Sequence, residues 1–283
     1  MAYANGEFLR LMYSRMGLCD TSVIHFRLKL MHLYDPFARY YDADFRHFHD
    51  DIPFYREWAR RTGDPILELM CGTGRVLLPL ASAGHRITGV DLSPAMLALA
   101  RERLVAENVI ERVTLIEADV RSVSLPENHF ALAFVAVNSF MHLTTVEDQL
   151  ATLAVVRRTL TRRGMLIIDL FNPDPLAITR EDGRMQLERS YELDGRYVQK
   201  FVVIESDAAE QISHVTFIYD ETSADGVLTR RTMQFTMRWF YRFEVEHLLA
   251  RAGFTLRAVY GNYDLEPYTS SSPRLIVLAS PRR

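Results

Sequence analysis

The sequence predicts an α/β protein, a doubly wound and mostly parallel sheet carrying an antiparallel β insert. Three observations predict it. Short apolar runs alternate with amphipathic stretches between residues 66 and 171, the pattern of strands joined by crossover helices. The strand-like Ile66-Leu67-Glu68-Leu69 breaks into Met70-Cys71-Gly72-Thr73-Gly74-Arg75, a tight turn whose glycines can take positive φ and let a ligand approach the backbone. Residues 185–240 then lose any long helical period and read as strand-like runs between turn signals.

Residues 33–62 are aromatic-rich and read as helical, with Phe54, Trp58 and Ala59 facing inward. Asp64-Pro65 marks the turn into a first strand over 66–70. Val76, Leu77, Leu78 and Leu80 recur at helical spacing and predict a helix over 74–83, followed by a second strand over 86–91. Ser93 caps the next helix, with Pro94 at its first position, and that helix runs to about Glu107. Residues 113–117 and Phe130–Val137 are the third and fourth strands, Glu147–Leu160 a helix, and Met165–Phe171 the fifth strand. The inserted runs are Leu187–Glu192, Tyr197–Ser206, Ile212–Asp220 and Leu228–Trp239. Asp194-Gly195, Asp207-Ala208 and Asp225-Gly226 separate them. A helix over 242–252 ends at Gly253, a C-cap residue, and 254–260 and 274–279 are the last two strands. The expected division is an extension over 1–32, a core over 33–173 and 241–283, and an insert over 174–240.

Composition narrows the function classes. Thirty-three basic against 36 acidic residues leave a net charge of −3, so no broad basic excess points to nucleic acid. Arg157, Arg158, Arg162 and Arg163 are read as a helix C-terminus, where cations suit the dipole. The two cysteines, Cys19 and Cys71, do not suggest a disulfide framework, and no apolar stretch reaches membrane-span length. Without the apolar core of a signal peptide, the default expectation is a cytoplasmic protein. His47, His49, Asp50 and Asp51 have no second half at ligand spacing, so no metal site is expected.

The glycine turn must hold a ligand of a particular charge. A dinucleotide motif needs a third glycine where Leu77 stands, and no Gly-Lys-Ser/Thr string makes a phosphate loop. Glu68 would repel a pyrophosphate and attract a cation. Asp91 follows 23 positions after Glu68 at a strand end, placed to take both hydroxyls of a ribose.

Glu-x-x-Cys-Gly-Thr-Gly, with the downstream Gly89-Val90-Asp91-Leu92-Ser93-Pro94-Ala95-Met96, resembles the class I S-adenosylmethionine (SAM)-dependent methyltransferases. The resemblance covers about residue 31 onward. It implies a Rossmann-like seven-stranded sheet whose last two strands form an edge hairpin, with SAM as cofactor. Glu68 would then lie under the methionine amino group, within the turn formed by Cys71, Gly72, Thr73 and Gly74. Arg75 would reach the ligand carboxylate or cover the helix surface. Asp91 would hold the ribose, Leu92 and Met96 would pack on adenine, and Met96 could equally be helix core. Asp119 would accept from the adenine amino group, with the Val120 N–H on a ring nitrogen. Asn138 and Ser139 are candidates for cofactor or substrate hydrogen bonds. His142 is the candidate general base, against a structural role. Tyr41, in a Tyr-Asp pair on an N-terminal helix, is the candidate for contact with SAM or substrate, against core packing. Met70 departs from the Gly or Ala usual at its place. Because Met31 immediately precedes the resembling segment, it is also a candidate translation start, leaving 1–30 as an optional extension.

The layout resembles small-molecule methyltransferases with inserted strands, such as sugar-amine N,N-dimethyltransferases and glycine/sarcosine N-methyltransferases. The insert supplies Tyr191, Arg196, Tyr197, Lys200, Phe217, Tyr219, Arg238, Trp239 and Tyr241, which suit a mixed aromatic and polar pocket or ordinary alternate-residue burial. Asn138-Ser139-Phe140-Met141 is not the Asn/Asp-Pro-Pro-aromatic motif of DNA methyltransferases. The expected activity is methyl transfer to a small-molecule acceptor, an amine first and a hydroxyl second. A nicotinamide oxidoreductase and a non-catalytic SAM-binding protein are the alternatives from other classes.

Overall fold

The computed structural model describes residues 33–282. The Met31 start and the short amphipathic helix read from Phe8, Leu9, Leu11, Met12 and Met16 lie outside the described residues.

The central strand, Ile66–Leu69 (β1), is buried at every position, as expected where helices cover both faces of a parallel sheet. It pairs in parallel with Ile87–Asp91 (β2) on one side and Phe130–Val135 (β4) on the other. Val113–Glu117 (β3) extends the sheet beyond β2, and Leu160–Phe171 (β5) extends it beyond β4. Arg274–Pro281 (β11) then runs antiparallel to β5, and Phe254–Tyr260 (β10) closes that edge. The order β10-β11-β5-β4-β1-β2-β3 is the expected seven-stranded sheet. Its switch point lies between β1 and β4, where open α/β sheets bind ligands at the strand ends.

Alternating side chains sort the core into two layers. Leu67, Leu69, Ala133 and Val135 face one cluster with Val146–Thr159 (α5) and Arg242–Arg251 (α7). Ile66, Leu132 and Phe134 face the other, under Ile52–Thr62 (α2), Leu77–Ser82 (α3) and Pro94–Ala106 (α4). Removing one such fully buried leucine side chain costs about 2–5 kcal/mol.

Two boundaries differ from the sequence reading. The helix expected over 74–83 starts at Leu77, because Gly74, at φ +75°, still belongs to the turn. β5 starts at Leu160 rather than Met165, since Leu160 already pairs with Phe130 across an irregularity. Only Arg157 and Arg158 therefore lie in the last turn of α5, while Arg162 and Arg163 are in the strand. On α2, Phe54, Tyr55 and Ala59 are buried, and Trp58 is half-exposed.

The insert is a second, four-stranded antiparallel meander. A helix at Pro175–Glu181 (α6) leads into Gln186–Leu193 (β6), Arg196–Asp207 (β7), Ile212–Thr222 (β8) and Leu228–Arg238 (β9). Its apolar face meets the N-terminal segment. Val215, Met233 and Phe235 pack on Leu33, Tyr34 and Phe37, while Val198 and Tyr219 pack with Tyr40 of the helix Ala38–Phe45 (α1).

Candidate functional site

The glycine turn is stitched to the end of β2. Cys71 N–H donates to the Val90 carbonyl at 3.1 Å, and Gly72 N–H donates to Asp91 Oδ2 at 2.8 Å. Gly72 and Gly74 sit at φ +54° and +75°, where a side chain costs backbone strain. A Cβ at Gly74 would also stand 3.0 Å from the Ala100 methyl of α4, and one at Gly72 would stand 3.5 Å from the Tyr41 ring. Tyr41 thus folds over the turn. Met70 also takes positive φ, +57°, which explains why a small residue suits that place.

Glu68 is buried beneath the turn at 2% exposure, and its Oε2 has no hydrogen-bond partner. Burial holds this carboxyl well above the usual range; Arg75 opposes the rise, while Asp51 and Asp91 add to it. Asp91 accepts from Gly72 through one oxygen and from Ser93 N–H, at 2.9 Å, through the other. Burial raises it too, and those backbone N–H groups hold it down. Each Asp91 oxygen keeps a lone pair for a further donor. An orphaned buried carboxylate beside a glycine turn and a second carboxylate fits a ligand bearing an ammonium and a diol. SAM has both.

The other expected site residues have protein partners of their own. Both terminal nitrogens of Arg75 donate to Asp51 at 2.6 Å, and its guanidinium lies over the Phe48 ring. Asp51 is fully buried at the start of α2, while His47, His49 and Asp50 are exposed. Asp119 accepts two bonds from Arg121 Nε at 2.9 Å, and Arg121 also reaches Asp148. Val120 and Met96 are buried, and Leu92 is half-buried. Cys71 is a buried free thiol raised by burial, which does not suit a nucleophile.

After β4 the chain turns through Val137 and Asn138 at φ +40° and +64° into a short 3-10 turn, Ser139–His142. Asn138 Oδ1 accepts from Phe171 N–H at 2.7 Å and from Arg274 at 3.2 Å, so its carbonyl oxygen braces the strand ends. Ser139 beside it is half-exposed. His142 is half-buried against Tyr34, whose Oη lies 2.9 Å from Nε2. Burial lowers the imidazole to about 4.

Sequence reasoning missed several partners, because each joins residues far apart in the chain. Tyr34 and Asp35 flank the turn, and Asp35 binds the Ser93 hydroxyl. Asp169 at the end of β5 is fully buried, holding Arg274 at 2.6 Å and Tyr263 at 2.8 Å. Asp44 of α1 takes Lys200 of β7 at 2.8 Å and the hydroxyls of Tyr191 and Tyr219. Their signal was a Tyr-Asp-rich N-terminus and a lysine at an inward-facing strand position.

Residues 66–164 match the family described as a methyltransferase domain. A Bacillus subtilis protein named for methyltransferase activity, YqeM, is 26% identical over 261 residues, 87% of this chain and 96% of that protein. The cypemycin N-terminal methyltransferase of a Streptomyces species is 29% identical, covering 76% of this chain and 82% of the relative. The structure of the sugar N-methyltransferase KedS8 from a Streptoalloteichus species aligns with a TM-score of 0.66 at 23% identity. That alignment covers 86% of this chain and 93% of KedS8, a likeness of fold.

Proposed function

We propose that this SAM-dependent methyltransferase moves the methyl group to the nitrogen of a small, largely apolar amine. One observation carries the choice of acceptor. The cations around the strand ends and the inner face of the insert already hold carboxylates: Arg75 with Asp51, Arg121 with Asp119, Arg274 with Asp169, Arg39 with Glu221 and Lys200 with Asp44. An acceptor bearing a carboxylate or phosphate would have to break one of these pairs. The wall facing the site is instead aromatic, built from Tyr34, Tyr41, His142 and Phe235. The amine acceptors named for the cypemycin and KedS8 relatives support nitrogen as the acceptor atom.

SAM supplies a methyl group on a sulfonium, activated for in-line displacement. The protein's part is alignment and exclusion of water. Glu68 would bind the ammonium, Asp91 the ribose, and Asp119 with the Val120 N–H the adenine edge. Thr73, Leu92, Met96 and Ser139 would line the same site. Tyr41 closes over the turn and excludes water. A dry aromatic wall lowers an amine's pKa and keeps its lone pair free. The neutral His142 imidazole stands at this wall. A buried free thiol such as Cys71 fits a reducing, cytoplasmic setting.

The test is S-adenosylhomocysteine release with benzylamine, tyramine, glycine and a catechol. Turnover with benzylamine or tyramine at nitrogen is expected. Turnover confined to glycine would overturn the acceptor class, and methylation of the catechol alone would move the acceptor atom to oxygen. SAM binding with no release from a broad acceptor set would leave a binding protein.

A further inference from the structure

Tyr34 and His142 come from opposite ends of the site's wall and meet as a pair. Tyr34 Oη is 2.9 Å from His142 Nε2, with the rings edge-on at 5.7 Å between centroids. The phenol is un-ionised, since burial raises its pKa and Tyr41 and Asp91 raise it further. The imidazole is neutral, since burial lowers its pKa and a backbone bond at Thr236 opposes that only in part. A backbone group that favours the protonated ring is a carbonyl taking a ring N–H. A ring proton on Nδ1, toward Thr236, makes Nε2 the acceptor and the Tyr34 hydroxyl the donor.

This direction has two consequences. The lone pair of His142 is engaged by Tyr34 and does not face an acceptor. The Tyr34 oxygen has directed its single proton at His142, so it offers only lone pairs to anything else. The ring lies 6.0 Å from Tyr41, which covers the glycine turn, and 6.2 Å from Phe235 of β9. Phe235 also packs on His142 at 5.4 Å. Tyr34 is therefore bracketed by the cofactor corner, the exit of β4 and the aromatic face of the insert.

We propose that Tyr34 meets the methyl acceptor, taking an N–H of the amine on its oxygen while His142 holds its hydroxyl proton in place. His142 is then a positioning residue that acts through Tyr34. The proposal rests on the methyltransferase reading above. Accepting one N–H turns the amine's own lone pair toward the methyl group. The nitrogen–carbon bond forms as the carbon–sulfur bond breaks, the electron pair stays on sulfur, and the positive charge passes to nitrogen. The accepted proton stays on nitrogen until the product leaves for water, so Tyr34 and His142 keep their protons throughout. The arrangement selects acceptors that carry an N–H.

The test uses the full chain and benzylamine. ¹⁵N NMR of histidine-labelled protein should show His142 protonated at Nδ1 only, and unchanged between pH 6 and 9; a proton on Nε2 overturns the proposal. Calorimetry should give SAM affinities for Tyr34→Phe, His142→Leu and His142→Gln within about threefold of the native chain, which also reports their folding. Benzylamine binding to the S-adenosylhomocysteine complex, and turnover where it occurs, should fall by on the order of 100-fold in Tyr34→Phe and in His142→Leu. The double variant should lose no more than either single one. His142→Gln, whose amide oxygen can accept the phenol, should recover at least about tenfold over His142→Leu. Equal loss in Gln and Leu variants, or native benzylamine binding in Tyr34→Phe, overturns the proposal. A native chain that fails to bind SAM overturns the methyltransferase reading itself.

Discussion

Replacing Glu68 by Gln should move stability and cofactor binding in opposite directions. Glu68 is buried, one oxygen lacks a partner, and burial raises its pKa far above the ordinary value. A carboxyl whose folded pKa is raised favours folding at low pH and opposes it as pH rises through that value. As pH rises above the ordinary carboxylate range, the cofactor-free protein therefore loses stability by keeping this acid buried, a loss that Gln avoids at nearly the same volume. Gln keeps an unpartnered polar atom but cannot ionise, so Glu68→Gln should stabilise the cofactor-free chain by about 1–3 kcal/mol, the linkage contribution of a strongly raised carboxyl. For a domain of this size that is a rise of about 2–4 °C in Tm per kcal/mol. The gain should shrink as pH falls. Binding goes the other way. A charge-assisted bond to an ammonium contributes about 1.5–3 kcal/mol, so the Kd for SAM should weaken by roughly 10- to 150-fold. Thermal unfolding without ligand and calorimetric titration with SAM, each at two pH values, would measure both. A variant that is less stable without ligand and binds SAM normally would show that Glu68 is a structural acid and refute the reasoning.

Asp51→Asn should destabilise the protein by about 3–5 kcal/mol, because it leaves Arg75 buried without its bidentate partner; chemical denaturation measures this, and a loss under 1 kcal/mol would contradict it. Gly74→Ala should cost about 1–3 kcal/mol from positive φ and the 3.0 Å approach to Ala100, and it should lower SAM affinity where a surface Gly84→Ala change does not. Lys200→Met should leave Asp44 and Glu188 without their shared cation and loosen the contact of α1 with the insert. Limited proteolysis within residues 184–240 should then speed up while the Tm falls, and unchanged cleavage would show that the staple is dispensable.

Much of this fold could be read from local signals. The four insert strands lie within two residues of the sequence reading, because alternating burial and Asp-Gly turns act over a few residues. The β1 turn and Asp91 were equally legible, since one crossover places them side by side. Arg75 illustrates the limit. Its neighbours in sequence suggested a ligand carboxylate or the helix surface, and they gave no sign of Asp51, 24 residues earlier, which holds both terminal nitrogens. Asp44 with Lys200, Asp169 with Arg274, and Tyr34 with His142 are separated by 105 to 156 residues. No periodicity encodes such pairs; they exist only once α1 meets the insert, β5 meets β11, and the N-terminal segment meets the exit of β4.

Met70 joins the legible part to the rest. It departs from the small residue of the resembling motif, and it occupies φ +57°. That conformation costs a side-chain-bearing residue roughly 1–2 kcal/mol. Met70 packs against the core cluster that holds Val135, Phe140 and Trp239, so buried apolar area can offset much of the strain. Glycine at this place should relieve the strain and lose the packing, leaving stability within about 1 kcal/mol of the native chain. Its larger effect should fall on the acceptor. A flexible thioether side chain at the mouth of the turn fills space that glycine would open, so Met70→Gly should admit bulkier amines while SAM affinity stays the same. If acceptor size preference does not change, the side chain faces the core alone, and the departure from the motif is a matter of packing.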